Sequence, residues 1–348
     1  MRVLLISPLP PPAGGIASWT KRYLASKTAK ENEVDVVNIA VAGARAQNFT
    51  RKKVFFDEVK RLFSFIKELK KKLKNGSYDI VHMNSACSKT GLVRDVIAAH
   101  IIKKNKTKLL VHFRCDVTYM LRSKSSKWLF KKLVSLCDKV LTLNTISHKY
   151  ILEVCEKESI TVPNFVSDDY VDELTNKKEI KESAETFLFV GHVKETKGCD
   201  LICRIAEKFQ DKTFVLVGTI GEKIASMINS DNVVLKGELP LAEVKKEYLS
   251  ADVFILPTHT EGFPNVVTEA MSCGMPVITT PVGAIPDMIE DQGGIMIPVN
   301  DEEALIAAIN KIESKELRES MSEFNRKKVR ESYTIDKVMD RLFEIYNR

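Results

Sequence analysis

The sequence predicts two doubly wound α/β domains joined by a polar linker, and three observations predict it. Short apolar runs alternate with helical patterns along the whole chain, as in parallel sheets covered on both faces. The runs fall into two series of six: 3–6, 34–39, 80–83, 109–112, 140–143 and 159–162, then 187–190, 214–217, 233–235, 253–256, 277–279 and 295–297. Between the series lies 164–186, rich in Asp, Glu, Lys and Ser and poor in apolar residues.

The elements follow in order. The run at 3–6 is too short for the apolar segment of a signal peptide and meets prolines at once, so it reads as a first strand. Helical patterns at 16–25, 54–73, 91–102 and 127–136 separate the first strands. After Asp301 the pattern is helical to the end. At 348 residues the chain exceeds one ordinary core, which agrees with two domains. Ligands of doubly wound sheets bind outside the carboxyl ends of the strands, so motifs at strand ends weigh most, and two such edges facing each other would make a cleft.

Composition bounds the function. The chain is 44% hydrophobic and 28% charged, as in a globular protein, with no run able to span a bilayer. Seven scattered cysteines argue against a disulfide framework and for a reducing cytoplasm. Cys199 and Cys203 are helically spaced but have no second pair or histidine cluster to complete a metal site. The net charge of +7 hides an asymmetry: residues 1–150 hold 30 Lys and Arg against 10 Asp and Glu, a net +20, and residues 151–348 hold 23 against 36, a net −13. A basic first half implies an anionic partner (a phospholipid surface, a lipid-linked phosphate or nucleic acid), although lysines that only keep the surface soluble fit the same count. Two stretches, 54–73 and 122–133, interleave the lysines with aromatics, as helices lying on an anionic membrane do, or as helices packing their apolar face on a sheet. No nucleic-acid module is visible.

The richest stretch is Glu261-Gly262-Phe263-Pro264-Asn265-Val266-Val267-Thr268-Glu269. Gly262 permits close backbone approach. Pro264 suits the first helical position, and the N–H groups after it suit a phosphate. Glu261 and Glu269 can accept hydrogen bonds from the hydroxyls of a sugar or ribose. A capped amphipathic helix with two solvated acids fits these residues as well. Other strand ends carry weaker signals. Gly14 and Gly15 precede a helix and could bring backbone N–H groups to a phosphate, or form a plain turn; they are not the GxGxxG fingerprint. Gly191-His192 through Lys197-Gly198 sets a cation at the head of a helix, where Lys197 supplies a point charge and His192 a donor; a solvated loop is the alternative. His112 ends a strand and could act as a hydrogen-bond or acid/base group or be structural, and His82 is a weaker case of the same kind.

Taken together and in order, these motifs resemble the retaining glycosyltransferases of family 4, which have the GT-B fold. The resemblance runs through the Gly14-Gly15 loop, the His112 strand end, the Gly191…Lys197-Gly198 loop and Glu261…Glu269, which continues as Ala270-Met271-Ser272-Cys273-Gly274-Met275-Pro276-Val277-Ile278 and Val282-Gly283-Ala284-Ile285-Pro286-Asp287. It implies a GT-B chain: an acceptor-side domain at 1–164, a nucleotide-sugar-binding domain at 165–330, and a helix at 331–348 packing back toward the first. It further implies Glu269 on the ribose, Glu261 on a donor-sugar hydroxyl, and His112 near the reacting carbon. Backbone N–H groups at Phe263, Asn265 and Val266 would meet diphosphate or sugar, Lys197 would neutralise the diphosphate, and Gly14 and Gly15 would close over it. The family usually has Arg where this chain has His192, which weakens the fixed charge there.

The reaction expected from the resemblance is transfer, with retention, of a hexose-type sugar from a nucleotide-sugar donor to a glycan or lipid-linked acceptor in cell-surface polysaccharide synthesis; the basic first half motivates the lipid-linked acceptor and an anionic membrane surface, and no nucleic acid is expected. No cofactor and no metal is expected: Lys197, His192 and the helix terminus at 264–266 would hold the developing charge, and Asp168-Asp169 sits in the linker. The departing phosphate would take the acceptor proton on the attacked face, with Glu261 as covalent nucleophile the less favoured route. Two alternatives are a catalytically silent nucleotide-sugar-binding protein, for which His192 is the support, and a GT-B sugar-nucleotide epimerase.

Overall fold

The computed structural model describes residues 1–12, 14–40, 51–166, 170 and 179–348, with the side chains of 51–55 left aside. Two compact units account for the chain: residues 1–164 together with 338–348, and residues 165–337.

The first unit runs β1 (Arg2–Ser7), α1 (Gly15–Ala25), α2 (Lys27–Lys30), β2 (Glu33–Asn38), α3 (Arg51–Asn75), β3 (Ile80–Ser85), α4 (Lys89–Lys104), β4 (Lys108–Phe113), α5 (Val117–Met120), α6 (Lys124–Leu136), β5 (Lys139–Thr142), α7 (Thr145–Cys155) and β6 (Ile160–Thr161). Its parallel sheet has the order β2-β1-β3-β4-β5-β6. The pleat sends alternate side chains to opposite faces. Leu4, Ile6, Val81, Met83, Leu109, Val111 and Phe113 share one core with the apolar sides of α3, α4 and α6. Their sequence neighbours, including His82, Asn84 and His112, therefore point to the other face, where Asn84 of β3 is in register with His112 of β4.

The second unit runs β7 (Thr186–Val190), a 3-10 turn (Glu195–Lys197), α8 (Cys199–Ala206), β8 (Thr213–Val217), α9 (Glu222–Ala225), β9 (Val233–Gly237), α10 (Leu241–Ser250), β10 (Val253–Leu256), α11 (Asn265–Ser272), β11 (Val277–Thr279), α12 (Ile285–Ile289), β12 (Gly294–Met296), α13 (Glu302–Lys311) and α14 (Lys315–Ser332), and ends in the first turn of α15 (Ile335–Asn347). Its sheet order is β12-β11-β10-β7-β8-β9. That is the dinucleotide-fold order, and its switch point falls between β7 and β10. All twelve runs read as strands in the sequence are strands, the sixth shortened to Ile160–Thr161. From Val338 onward α15 belongs to the first unit, against which it buries Val338, Met339, Leu342, Phe343, Ile345 and Tyr346.

The seven cysteines are free thiols, with Cys199 and Cys203 buried on α8. No helix among the described residues is long and apolar enough to cross a membrane.

Candidate functional site

In the second unit, the loops after β7 and β10 meet at the switch point. β7 passes into Gly191, whose N–H donates to Val217 O at 2.9 Å. Val193 N–H then donates to Thr219 O at 2.9 Å, and Gly221 N–H returns a bond to Val193 O at 2.9 Å. The chain makes one 3-10 turn and reaches Gly198 at φ +74°, where a Cβ would lie 2.1 Å from the carbonyl oxygen of Pro257. No other residue permits that approach. It presses the β7 loop onto the β10 loop, where His259 N–H donates to Thr196 O at 3.1 Å and Thr258 Oγ1 donates to the same oxygen at 3.3 Å. From the other side, Gly283 at φ +58° brings its backbone against Glu261, and a Cβ there would lie 1.9 Å from the Glu261 carbonyl oxygen.

Held from both sides, Glu261 receives Lys197: Nζ donates to Oε1 in a close ion pair with both side chains largely buried. Two residues singled out from different strand ends are thus brought together. The same loop continues through Gly262 and Phe263 into α11. Phe263 is buried edge-to-face against Tyr333, with centroids 5.5 Å apart, which leaves its backbone rather than its ring to serve the site. Pro264 is the N-cap and Asn265 the first helical residue, one position later than the sequence reading placed the start. The difference is small chemically, since the helix still opens at the same loop, with Val267 N–H already donating to Pro264 O at 3.1 Å. Asn265 and Val266, in that turn, are half-exposed. One turn further on, Glu269 accepts a hydrogen bond from the Tyr248 hydroxyl at 3.2 Å. Burial, then the charge of Glu269, pushes the Tyr248 phenol well up, so it stays a neutral donor. His192 is exposed on the β7 loop.

The first unit offers a different arrangement. Gly14 caps α1 and Gly15 is its first residue; both are exposed, and a Cβ on either would meet nothing within 4 Å. Gly14 is extended, at φ 174°, so the fold requires glycine at neither place. His112 is buried. Its ring stacks on His82 at 5.6 Å and meets the Trp19 ring edge-on at 6.4 Å. Arg114 Nη1 donates to His112 Nδ1 at 3.1 Å, Nη2 donates to Asn164 Oδ1, and the guanidinium stands over the Trp19 ring at 4.2 Å. The Tyr346 hydroxyl hydrogen-bonds His82 Nδ1 and lies 3.3 Å from the Tyr23 hydroxyl. His82 Nε2 is buried with no hydrogen-bond partner among the described residues.

This environment disfavours charge. Burial, reinforced by Arg114, pushes His82 down to about 3. Burial, then Arg114 and His82, holds His112 well below the usual imidazole range. Even Arg114 is pushed down by burial, to about 9. Both imidazoles are therefore neutral at neutral pH, and His112 can serve as a hydrogen-bonding group but not as an imidazolium acid.

Sequence reasoning did not find Trp19, Tyr23, Tyr248 or Tyr346. Each sits on the apolar face of an amphipathic helix, where its ring reads as core. The usable signal was parity: His82 and His112 occupy same-face positions on neighbouring strands. Among the described residues no three His, Cys, Asp or Glu side chains gather where a metal ion could be held; Asp168 and Asp169 lie outside the described residues.

Two six-stranded parallel units, with the predicted residues at the strand carboxyl edges, define the GT-B fold. The structure of sucrose-phosphate synthase from Thermosynechococcus elongatus superposes with a TM-score of 0.77 over 99% of this chain and 98% of that one, at 17% identity, a likeness of fold. Residues 170–328, which hold Lys197, Glu261 and Glu269, match the model of the glycosyl transferases group 1 family. It is 28% identical over 320 residues to an Escherichia coli UDP-Gal:alpha-D-GlcNAc-diphosphoundecaprenol alpha-1,3-galactosyltransferase, covering 82% of this chain and 81% of the relative. It is also 28% identical over 246 residues to the capsular polysaccharide biosynthesis glycosyltransferase CapM of Staphylococcus aureus, covering 63% and 64%.

Proposed function

We propose that this glycosyltransferase moves a hexose from a uridine-diphosphate sugar to a lipid-linked glycan at the cytoplasmic face of a membrane, with retention of anomeric configuration. The observation that carries the donor half is the Lys197–Glu261 ion pair at the β7/β10 switch point, in the loop that opens α11. A nucleoside diphosphate entering there exchanges partners with the pair. Lys197 turns from Glu261 to the phosphates, and Glu261 is freed to accept a hydrogen bond from a sugar hydroxyl. The first-turn amides of α11 add their dipole to the leaving phosphate, and Glu269, oriented by Tyr248, takes the ribose. His112 serves as a neutral hydrogen-bonding group for the sugar, and His192 as an exposed donor toward the phosphates. Gly14 and Gly15 leave room for backbone close to the donor, a use consistent with their not being required by the fold.

In the step itself, the bond from the anomeric carbon to the diphosphate oxygen breaks. The acceptor oxygen bonds to that carbon on the same face, and its proton passes to the departing phosphate. Lys197 and the helix terminus supply the countercharge, so turnover should persist in chelator. The E. coli relative, a UDP-galactose enzyme acting on a diphosphoundecaprenol-linked sugar, supports the uridine and the lipid-linked acceptor, and the +20 charge of residues 1–150 supports the latter.

The test is a panel of UDP-hexoses followed by melting temperature and by UDP release. UDP should raise the melting temperature by mass action. Glu261→Ala should keep that shift while turnover falls about 100-fold or more, the size of a lost transition-state contact. Lys197→Ala should lose the shift. A wild type whose melting temperature responds to neither UDP nor any UDP-hexose would sink the reading.

A further inference from the structure

The opposite face of the first unit carries chemistry that the donor site does not use. α3, α4 and α6 pack side by side over one face of the first sheet and share its core. Their inward sides are buried, yet four apolar side chains stand out on the other side. Phe56 is 66% exposed, Phe63 69%, Val93 39% and Trp128 65%. Single exposed apolar residues are ordinary, but a set on adjacent parallel helices marks a contact surface. The charge around them has one sign. The three helices hold 18 Lys and Arg against 4 Asp and Glu, and α6 has no acid at all. Two of the four acids are already matched: Glu58 pairs with Arg61 at 3.1 Å, and buried Asp95 with Arg94 at 2.6 Å. Lys60, Lys67, Lys89, Lys124, Lys127 and Lys131 are exposed.

The placement along the helices adds a direction. Crossover helices of a parallel sheet run opposite to the strands, so their first turns lie at the strand carboxyl edge. Phe56, Val93 and Trp128 fall within the first six residues of α3, α4 and α6, about 9 Å from each helix start. At the same edge, Tyr119 of α5 is 40% exposed with the Arg122 guanidinium over its ring at 4.1 Å. Aromatics of this kind, flanked by cations, suit the headgroup layer.

We propose that the outer face of α3, α4 and α6 docks on an anionic phospholipid bilayer, with Phe56, Phe63, Val93 and Trp128 entering the interface and the surrounding lysines on lipid phosphates. Docked in this way, the carboxyl edge of β1, β3 and β4 lies beside the headgroups, where a lipid-linked diphosphate acceptor presents its glycan without leaving the membrane. This second consequence rests on the acceptor proposed above; the docking itself does not. Lipid is favoured over nucleic acid because two phenylalanines and a valine, which carry no hydrogen-bonding group, form part of the protruding set.

The two tryptophans make the test direct, since Trp19 is buried and Trp128 is exposed. The full chain is mixed, at physiological salt, with phosphatidylcholine vesicles with and without phosphatidylglycerol. The anionic vesicles should sediment the protein and shift tryptophan emission to the blue, and Trp128→Phe should keep the binding and lose the shift. The triple variant Phe56→Ser, Phe63→Ser, Trp128→Ser should bind anionic vesicles about ten-fold more weakly, as expected when interfacial apolar area is removed, with its UDP-induced melting shift unchanged. Three results would overturn the proposal: no sedimentation of the wild type, a triple variant that binds like the wild type, or a DNA oligonucleotide that strips the protein from the vesicles. If docking behaves as stated while UDP gives no melting shift, the donor reading falls and the docking surface stands.

Discussion

The strand carboxyl edges of the two units do different work with similar sheets. In the second unit the edge is shaped by backbone. Gly198 and Gly283 allow loops to pass at distances no side chain would permit, and the result is an ion pair, Lys197–Glu261, with ionic groups ready for a charged ligand. In the first unit the edge is shaped by side chains. Trp19, Tyr23, His82, His112, Arg114 and Tyr346 pack into a buried cluster in which burial removes the charge from both histidines. The glycines show the same contrast, for the fold requires Gly198 but neither Gly14 nor Gly15. Sites built from backbone demand particular residues at particular positions, and sites built from packed rings demand only shape and a few hydrogen bonds.

The largest expected effect tests the backbone half of this contrast. Gly198→Ala forces a left-handed conformation on a side chain whose Cβ would lie 2.1 Å from Pro257 O; a loss on the order of 3 kcal/mol is expected. Gly15→Ala should leave the melting temperature nearly unchanged, and equal losses in calorimetry would erase the distinction. Next in size is the response to acid. His82 is pushed down to about 3 in the folded state from an ordinary 6.5, so below about 6.5 the unfolded chain binds a proton that the folded chain refuses. Stability is therefore complete above that pH and falls progressively down to about 3. By pH 4.5 the loss from His82 is on the order of 2–3 kcal/mol. Denaturant titrations of wild type and His82→Phe should converge as the pH is lowered; parallel curves would place the acid sensitivity elsewhere. The smallest effect is that of Tyr346→Phe. It removes the partner of His82 Nδ1 and should cost about 1–2 kcal/mol, the range for a buried polar group left unsatisfied.

Legibility in the sequence followed the same division. The strands were legible because buried parallel strands are short, continuous apolar runs, and 253–256 or 277–279 can hardly be anything else. Glu261, Lys197 and Glu269 were legible because backbone sites carry glycine and proline punctuation at fixed offsets. The start of α11 shifted by one residue because proline is tolerated both as a cap and as a first residue. The Tyr346–His82 contact was not legible: 264 positions separate the partners, and nothing local marks a tyrosine on an amphipathic helix as the hydrogen-bond partner of a distant histidine. The basic helices could be read as either membrane-facing or sheet-packing, and the structure shows that they are sheet-packing on one side while exposing Phe63 and Trp128 on the other.

The route of the chain through the first unit bears on how the protein is made. Its sheet is complete by Thr161, yet the side chains that cover His82 and Tyr23 arrive only with residues 338–348, after the whole of Phe165–Lys337 has been synthesised. A nascent chain emerging from the ribosome can therefore finish the second unit as a closed body while the first still has an uncovered aromatic face. The seating of Phe343 and Tyr346 against Tyr23 and His82 is therefore the step that closes the first unit, and it waits for the last residues of the chain.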